Sequence, residues 1–525
     1  MASKVAGFGR SISFDYGAIA MSRVASQLPA AGSAGGPYDS VRDFLNDLEA
    51  RGRVERIREM DQDAFEMTAF AYRLLDRLGY EKAPAFVVER VKTGGQWREG
   101  PVLGNQFGSW VDEALVFGVD NVSQDQEEMY WAVMDKLFGR LDSGGRWQRI
   151  PPVEISNAAD APCKQVTLTG DEIDIEQFAW LQNNPADAGR YINMGAVFVD
   201  DPEFGSNVGT YRCQVQGPRQ IGVNMGPGQH AWRILNSMRK RGDKVAHCAV
   251  VVGVDPITFV TSSTKMADFG VNELEVAGGL RGKPVEVVRC ETCDIRVPAH
   301  AEMIIEGEIP LDKTAPEGPY GELFGFLGPQ VPENFFMELK LVTHRDKPWI
   351  QNSFTGITLD MPKGPQTAAE FNRYKQLIPN LTGFYTPKGT IGVVFVRINK
   401  RFPGEGMAAG QQVSANPGQN KIVIVVDHDV NIFDPVRVLH AIGARWQPGS
   451  ATLVVPQTQM LVPDPSKPHT FLSSKIVIDA TRQLPAEGGP KKFAPVSREL
   501  LRDSCPDLFA QTDAKWGDIF AKWGG

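Results

Sequence analysis

Glu317 and Glu322 bracket Gly318-Pro319-Tyr320-Gly321 within the string Pro316-Glu317-Gly318-Pro319-Tyr320-Gly321-Glu322. Glycine and proline there break both helix and regular strand, so the sequence predicts an irregular loop. A fixed turn of this kind brings backbone close to a ligand. Two carboxyl groups in unlike surroundings can divide into an ionised partner and a proton donor, the arrangement that acid/base catalysis requires. Spacing alone equally admits two solvated loop charges.

A second group lies upstream. Asn207 and Arg212 share one short segment, Gln229 and His230 precede a helix beginning near Ala231, and Glu273 follows Ser262-Ser263. An amide carbonyl, an imidazole and a carboxylate are ligands that a hard or borderline divalent cation accepts. Taken singly, each is an ordinary polar residue.

Several familiar motifs fail. Ala277-Gly278-Gly279-Leu280-Arg281-Gly282-Lys283 approaches a phosphate loop, but Ala277 stands where the first glycine belongs and Pro284 where Ser or Thr is needed. No GxGxxG, GxSxG or HExxH occurs, which removes the usual dinucleotide, serine-hydrolase and zincin readings. Cys290 and Cys293 form a CxxC without a second pair or a thioredoxin-like context, and read as structural.

The order of the remaining motifs carries more. Ser206-Asn207-x4-Arg212, Gly228-Gln229-His230-x-Trp232, Ser262-Ser263 with Glu273, the Pro316 to Glu322 string, and Ala441-x3-Arg445-x2-Pro448-Gly449 together resemble the UbiD-like decarboxylases. The resemblance runs from about residue 40 to 490, and the Pro-Glu-Gly-Pro-aromatic-Gly-Glu string is its most specific part.

The resemblance implies a prenylated FMN cofactor, an azomethine ylide that adds covalently to an unsaturated acid, after which carbon dioxide leaves and the adduct is protonated. By residue, it implies Glu322 as the acid/base, with Arg212 and Glu317 completing a Glu-Arg-Glu network. It implies Asn207, His230 and Glu273 as ligands of Mn2+ or Mg2+ at the cofactor phosphate. Ser262, Ser263 and Glu273, with Arg445 nearby, would border a potassium ion; Thr210, Tyr211 and Gln229 would flank the flavin, and Lys421 would be a further phosphate contact. A flavin prenyltransferase would supply the cofactor, and a homodimer or hexamer is expected. One departure bears on substrate. Leu323-Phe324 replaces the Met-His of cinnamate-type enzymes, and residues 361–366, expected to help line the pocket, contain Pro and Gly. Leu323 and Phe324 favour a flat apolar acid such as a phenazine carboxylate. A flavin-binding oxidoreductase on a split barrel and a non-catalytic flavin carrier remain as alternatives.

The elements that must position these residues are legible in outline. A chain of 525 residues calls for two or three domains, and with 42% hydrophobic and 22% charged residues it has ample core. No apolar run approaches the ~18 residues of a membrane span. The net charge of −8, with Lys and Arg dispersed, offers no basic face for nucleic acid. Arg239-Lys240-Arg241 before Gly242 reads as a capped helix end. Six cysteines in so long a chain suit free thiols in a reducing, cytoplasmic setting.

The fold class expected is α/β plus β. Residues 1–36, rich in Ala, Ser and Gly, resemble a presequence in composition and read as an N-terminal extension. An α/β domain over 37–145 opens with a helix capped by Ser40 and Asp43, then helices at 64–78 and 127–138 and short strands at 85–88 and 102–103. Residues 146–345 change to short strand-like runs and predict a split β-barrel that binds flavin. A linker helix within 365–380 leads to a C-terminal α/β oligomerisation domain over 381–525. Its strands fall at 391–398 and 422–426 and its helix at 435–442, capped by Asp434.

Overall fold

A computed structural model describes residues 35–416, 420–461, 463–467 and 472–523. The expected N-terminal extension lies almost wholly outside the described residues. Ser40 caps the helix Val41–Ala50 in a reciprocal box with Asp43, and Val41, Phe44, Leu45 and Leu48 supply its buried face. The first sheet has the order Val54–Asp61, Ala85–Thr93, Gln96–Gly104, Ile350–Gln351. Its last strand enters parallel to Gln96–Gly104 from far along the chain. The first domain therefore includes a piece of sequence beyond residue 345 that the expected boundaries left out.

A ten-stranded antiparallel sheet forms the middle of the molecule. Its path runs Tyr191–Ile192, Cys213–Val215, Gln220–Val223, Val331–His344, Met303–Pro310, Val245–Val252, Ala196–Asp201, Gly205–Thr210 and is open at both ends, as a split barrel requires. The 14-residue strand Val331–His344 is its spine, pairing also with Val166–Thr169 and Ala315–Glu317. Both faces are covered. Ala249 and Val251 enter one apolar core while Cys248, Val250 and Val252 enter another, so this strand reads as a continuous apolar run rather than an alternation.

The helix Gly364–Leu377 joins this part to a five-stranded sheet ordered Leu381–Tyr385, Val393–Ile398, Ile422–Asp427, Leu472–Asp479, Thr452–Gln459. Its three inner strands are parallel and its edges antiparallel. Asp434 caps the helix Pro435–Arg445 through the N–H groups of Val436 and Arg437. A buried carboxylate fixes the joint: Glu113 Oε2 accepts from the N–H groups of Lys363 and Gly364, and Glu113 Oε1 meets Lys388 Nζ at 2.8 Å. Residues 492–523 belong to a different compact unit from the one that ends at Lys491. They carry the helices Ser497–Ser504 and Leu508–Trp523, so the expected C-terminal domain over 381–525 divides.

The failed phosphate loop has a packing explanation. Gly278 and Gly279 lie in the helix Glu273–Arg281, and a Cβ on them would fall 2.3 Å from Ile150 O and 1.7 Å from Gln148 O. These glycines let the helix press against backbone. Gly279→Ala is expected to cost about 1–3 kcal/mol by overpacking, seen as a lower thermal midpoint in calorimetry, whereas Ala at exposed Gly443, which meets nothing within 4 Å, leaves the midpoint unchanged or raised.

Candidate active site

The strand Gly205–Thr210 runs antiparallel to Ala196–Asp201, with Asn207 opposite Val199. The chain continues through Tyr211 and Arg212 into Cys213–Val215, so Asn207 and Arg212 are at most about 17 Å apart along one extended run. Two helices begin at this strand, His230–Arg241 and Glu273–Arg281, and each has a candidate ligand as its first residue. Asn207 Nδ2 donates to Glu273 Oε1 at 2.7 Å, and the Val208 N–H donates to Glu273 Oε2 at 2.9 Å. His230 Nδ1 lies 3.6 Å from Glu273 Oε1, its ring against the edge of Phe269. Asn207 Oδ1 is buried and has no hydrogen-bond partner. Leaving such an acceptor unpaired costs about 1–3 kcal/mol. A divalent cation beside Glu273 and His230 would satisfy it, and the oxygen and nitrogen donors suit Mn2+ or Mg2+.

Arg212 joins the two glutamates. Its Nε and Nη2 donate to Glu317 Oε1 and Oε2, both at 2.8 Å, and its Nη1 donates to Glu322 Oε1 at 2.5 Å. Arg212 stacks over Tyr320, 4.5 Å from the ring centroid, and the two carboxylates push its pKa further up. The environments of the glutamates differ. The Glu317 side chain has 0% exposure and both oxygens engaged, while Glu322 keeps 23% exposure and meets Arg212 through one oxygen. Glu317 is thus held on both oxygens, while Glu322 keeps one oxygen free of Arg212.

The loop is more regular than its composition suggests. Ala315–Glu317 pairs with Val331–His344, and Tyr320–Gly321 pairs with Leu327–Gly328. Gly318, at φ +77°, makes the break between them, a left-handed conformation that favours glycine. Asp187 Oδ1 accepts the Gly321 N–H at 2.8 Å, and burial raises the pKa of Asp187. The Tyr320 hydroxyl donates to Asn193 Oδ1 at 2.7 Å and lies 2.8 Å from Thr355 Oγ1.

Other expected residues divide. Thr210 Oγ1 and Ser262 Oγ are 2.8 Å apart, and Ser262 and Ser263 end the helix Pro256–Ser263, whose carbonyl end attracts cations. Tyr211 is buried, and burial pushes its hydroxyl pKa up. The Gln229 side chain accepts the Gly226 N–H at 2.6 Å and does not cap its own helix, leaving early helix N–H groups for an anion. Lys421 and Arg445 do not join the cluster. Lys421 Nζ is held by Asp464 Oδ2 at 2.7 Å, and Arg445 by Asp427 and Asp429. Both are engaged within the C-terminal sheet region, where carboxylates neutralise them.

A cavity of about 200 Å³ beside the loop is lined by Thr68, Asn183, Asn184, Asp187, Thr355 and Ile357, among others. Leu323 is exposed and Phe324 half-buried, and neither they nor residues 361–366 line this cavity, whereas Tyr320, Gly321 and Gly325 do. Gly325, at φ +76°, lies in the turn between Tyr320–Gly321 and Leu327–Gly328 that carries them.

Sequence reasoning missed Asn224, Asp187, Asn193 and Thr355. With its amide oxygen turned to the guanidinium, Asn224 accepts from Arg212 Nε and Nη2 at 3.2 and 3.1 Å. A signal existed: a hairpin turning at Gly217-Pro218 places Asn224 across from Arg212, as the Val223 to Cys213 register and the Asn224 N–H to Arg212 carbonyl bond show. Asp187, Asn193 and Thr355 come from irregular segments and carry no such signal.

Known proteins resemble this chain in sequence and fold. The pattern of the 3-octaprenyl-4-hydroxybenzoate carboxy-lyase Rift-related domain matches residues 154–358, that of its C-terminal domain residues 362–480, and that of its N-terminal domain residues 45–129. The chain belongs to the UbiD-like carboxy-lyase family. A relative from Archaeoglobus fulgidus is 28% identical, covering 92% of this chain and 98% of its own; one from Synechocystis is 29% identical, covering 91% and 95%. Among solved structures, the UbiD-class enzyme HmfF from Pelotomaculum thermopropionicum in complex with FMN is similar at a TM-score of 0.74 and 28% identity, over 88% of this chain and 98% of that one. An evolved dimeric form of HmfF in complex with prFMN gives 0.71 and 27%, over 88% and 97%. The vanillic acid decarboxylase of Sedimentibacter hydroxybenzoicus, at 0.73 and 24% over 90% and 99%, shares the fold.

A buried carboxyl on the segment after Thr355 carries a pH dependence. Asp360 is buried, accepts from the Phe354 N–H at 3.2 Å and from the Thr358 hydroxyl, and burial raises its pKa to about 6. The folded chain therefore keeps a proton, between its ordinary value of 3.8 and about 6, that the unfolded chain has released. The contribution of this group to stability is full below that window and falls as pH rises through it. The loss is on the order of 3 kcal/mol. Thermal midpoints measured across this window should fall for the wild type and flatten in Asp360→Asn; parallel curves would count against it.

Proposed function

We propose that the chain catalyses the reversible, non-oxidative decarboxylation of an aromatic, heteroaromatic or α,β-unsaturated carboxylic acid, with prenylated FMN as its cofactor. The observation that carries this reading is the Glu317–Arg212–Glu322 network, in which one guanidinium joins a buried, doubly bonded carboxylate and a more open one. When bound, prenylated FMN supplies the reactive ring that joins the acid and makes loss of carbon dioxide possible. Glu322 delivers the proton that replaces the lost carboxyl group. Arg212 holds Glu322 in place, and Glu317 fixes Arg212 by its bidentate pair. Tyr320, stacked on Arg212 and tied to Asn193 and Thr355, restrains the guanidinium from its other face.

Asn207, His230 and Glu273 would hold Mn2+ or Mg2+ against the cofactor phosphate, with the N–H groups that open the helix His230–Arg241 available to the same dianion. Thr210, Tyr211 and Gln229 stand along that run. The carbonyl end of the helix Pro256–Ser263, at Ser262 and Ser263, is the place for a potassium ion. Lys421 and Arg445 are left out of these roles by their pairing with aspartates. A flat polycyclic acid is the substrate to test first: the cavity wall sets apolar surface, from Pro185, Tyr320 and Ile357, beside the polar groups of Asn183, Asn184 and Thr355. The cofactor would come from a flavin prenyltransferase, and a homodimer or hexamer is the assembly in which the enzyme would act.

Co-expression with a flavin prenyltransferase, mass spectrometry of the bound cofactor and a screen of aromatic acids for carbon dioxide release test the reading. Glu322→Gln should retain the cofactor and lose about 10²–10⁴-fold in decarboxylation rate. An oxidoreductase would keep its activity in that variant, and a flavin carrier would release no carbon dioxide from any acid; either result rejects the proposal.

A further inference from the structure

Cys290 and Cys293 take no part in the proposed reaction. They stand on the connection between the antiparallel strands Glu286–Arg289 and Arg296–Pro298. Glu306, on the strand Met303–Pro310 of the ten-stranded sheet, faces that connection. One ligand atom from each of Cys290, Cys293 and Glu306 lies within 4.8 Å of the others. Glu306 is fully buried, and its oxygens accept from the N–H groups of Glu291 and Thr292 at 2.9 and 2.7 Å and from the Thr292 hydroxyl at 2.7 Å. Those three bonds lie within the CxxC itself, so the carboxylate holds the loop in the shape that brings both sulfurs beside it. Lys164 Nζ stands 3.8 Å from Glu306 and 2.8 Å from Glu291.

We propose that Cys290, Cys293 and Glu306 form a binding site for a thiophilic divalent cation of the zinc class, separate from the Asn207, His230 and Glu273 cluster. The donor chemistry separates the two. Sulfur selects zinc or cadmium over magnesium and manganese, whereas the other cluster offers only oxygen and nitrogen. Two cysteines with two residues between them are the spacing that places both thiolates on one metal. Two thiolates and one carboxylate bring three negative charges, which a dication largely offsets, with the Lys164 ammonium, shared with Glu291, nearby. Each thiol releases its proton to solvent as the metal binds. Cys290 is buried and Cys293 only half-buried, which leaves the fourth position of a tetrahedral ion open on the Cys293 side. The ion would clip a small sheet to the ten-stranded one, on the segment that follows the helix starting at Glu273.

The test is a titration of the reduced, full-length protein with cadmium, reading the ultraviolet thiolate-to-cadmium absorption that oxygen and nitrogen ligands do not give. One equivalent should bind, zinc should displace it, manganese should not, and the thermal midpoint should rise. Cys293→Ser, at the less buried position, should lose most of the band and bind more than about 100-fold more weakly, and Glu306→Gln should keep the band and weaken binding by about 10-fold or more. Absence of a saturable band in the reduced wild type overturns the site, as does a band unchanged in Cys293→Ser or wild-type affinity in Glu306→Gln. A Cys290–Cys293 disulfide that takes up no cadmium after reduction overturns it in favour of a redox pair. None of these readouts depends on carboxy-lyase activity.

Discussion

Arg212 reaches Glu317 and Glu322 across more than a hundred residues of sequence, from the strand run that carries Asn207 to a loop hung on the spine strand Val331–His344. Glu317 is fully buried, so its charge is tolerable only while the guanidinium fork is in place; removing one partner of such a pair costs about 3–5 kcal/mol. That cost falls on a loop whose two short strand pairings are interrupted at Gly318. The ion pair therefore helps fix where Tyr320, Gly321 and Glu322 stand, and through them the hairpin that carries Leu323 and Phe324. Asp187 and Asn193 then brace the loop from the side of the cavity.

Much of this was legible because the chemistry sits at the ends of regular elements. His230 and Glu273 are helix first residues, Asn207 lies on a strand, and the capping box at Ser40 and the cap at Asp434 mark helix starts by local side-chain to backbone bonds. Such signals depend on neighbours in sequence. The return of Ile350–Gln351 to the first sheet depends on pairing with Gln96–Gly104 some 250 positions earlier, and two residues carry no periodicity by which to announce it. Lys421 and Arg445 lie outside the cluster for a related reason. A cation's role is set by the nearest carboxylate, and Asp464, Asp427 and Asp429 become neighbours only in the folded chain.

Adjacency to Glu322 does not by itself put a residue on the cavity wall. Leu323 and Phe324 follow Glu322 directly but do not line the cavity, whose walls come from segments near 68, 183–187 and 355–357 together with Tyr320, Gly321 and Gly325 of the loop itself. The wall is shared between the loop and segments remote from it in sequence. Its hydrogen-bonding groups, among them Asn183, Asn184 and Thr355, would discriminate by being left unpaired when the wrong ligand enters.

The same asymmetry that separates the glutamates bears on how an acid enters. With both glutamates ionised, the Glu317–Arg212–Glu322 group carries one net negative charge; with Glu322 protonated it carries none. An incoming carboxylate about 4 Å from an ionised Glu322 would be repelled by about 4 kcal/mol at an effective dielectric of ~20. Arg212 cannot offset this fully, because Glu317 already occupies two of its nitrogens. Glu317, fully buried and doubly bonded, holds those two nitrogens, so under the proposed function the attraction that brings in an anionic acid has to come from elsewhere in the site than this guanidinium.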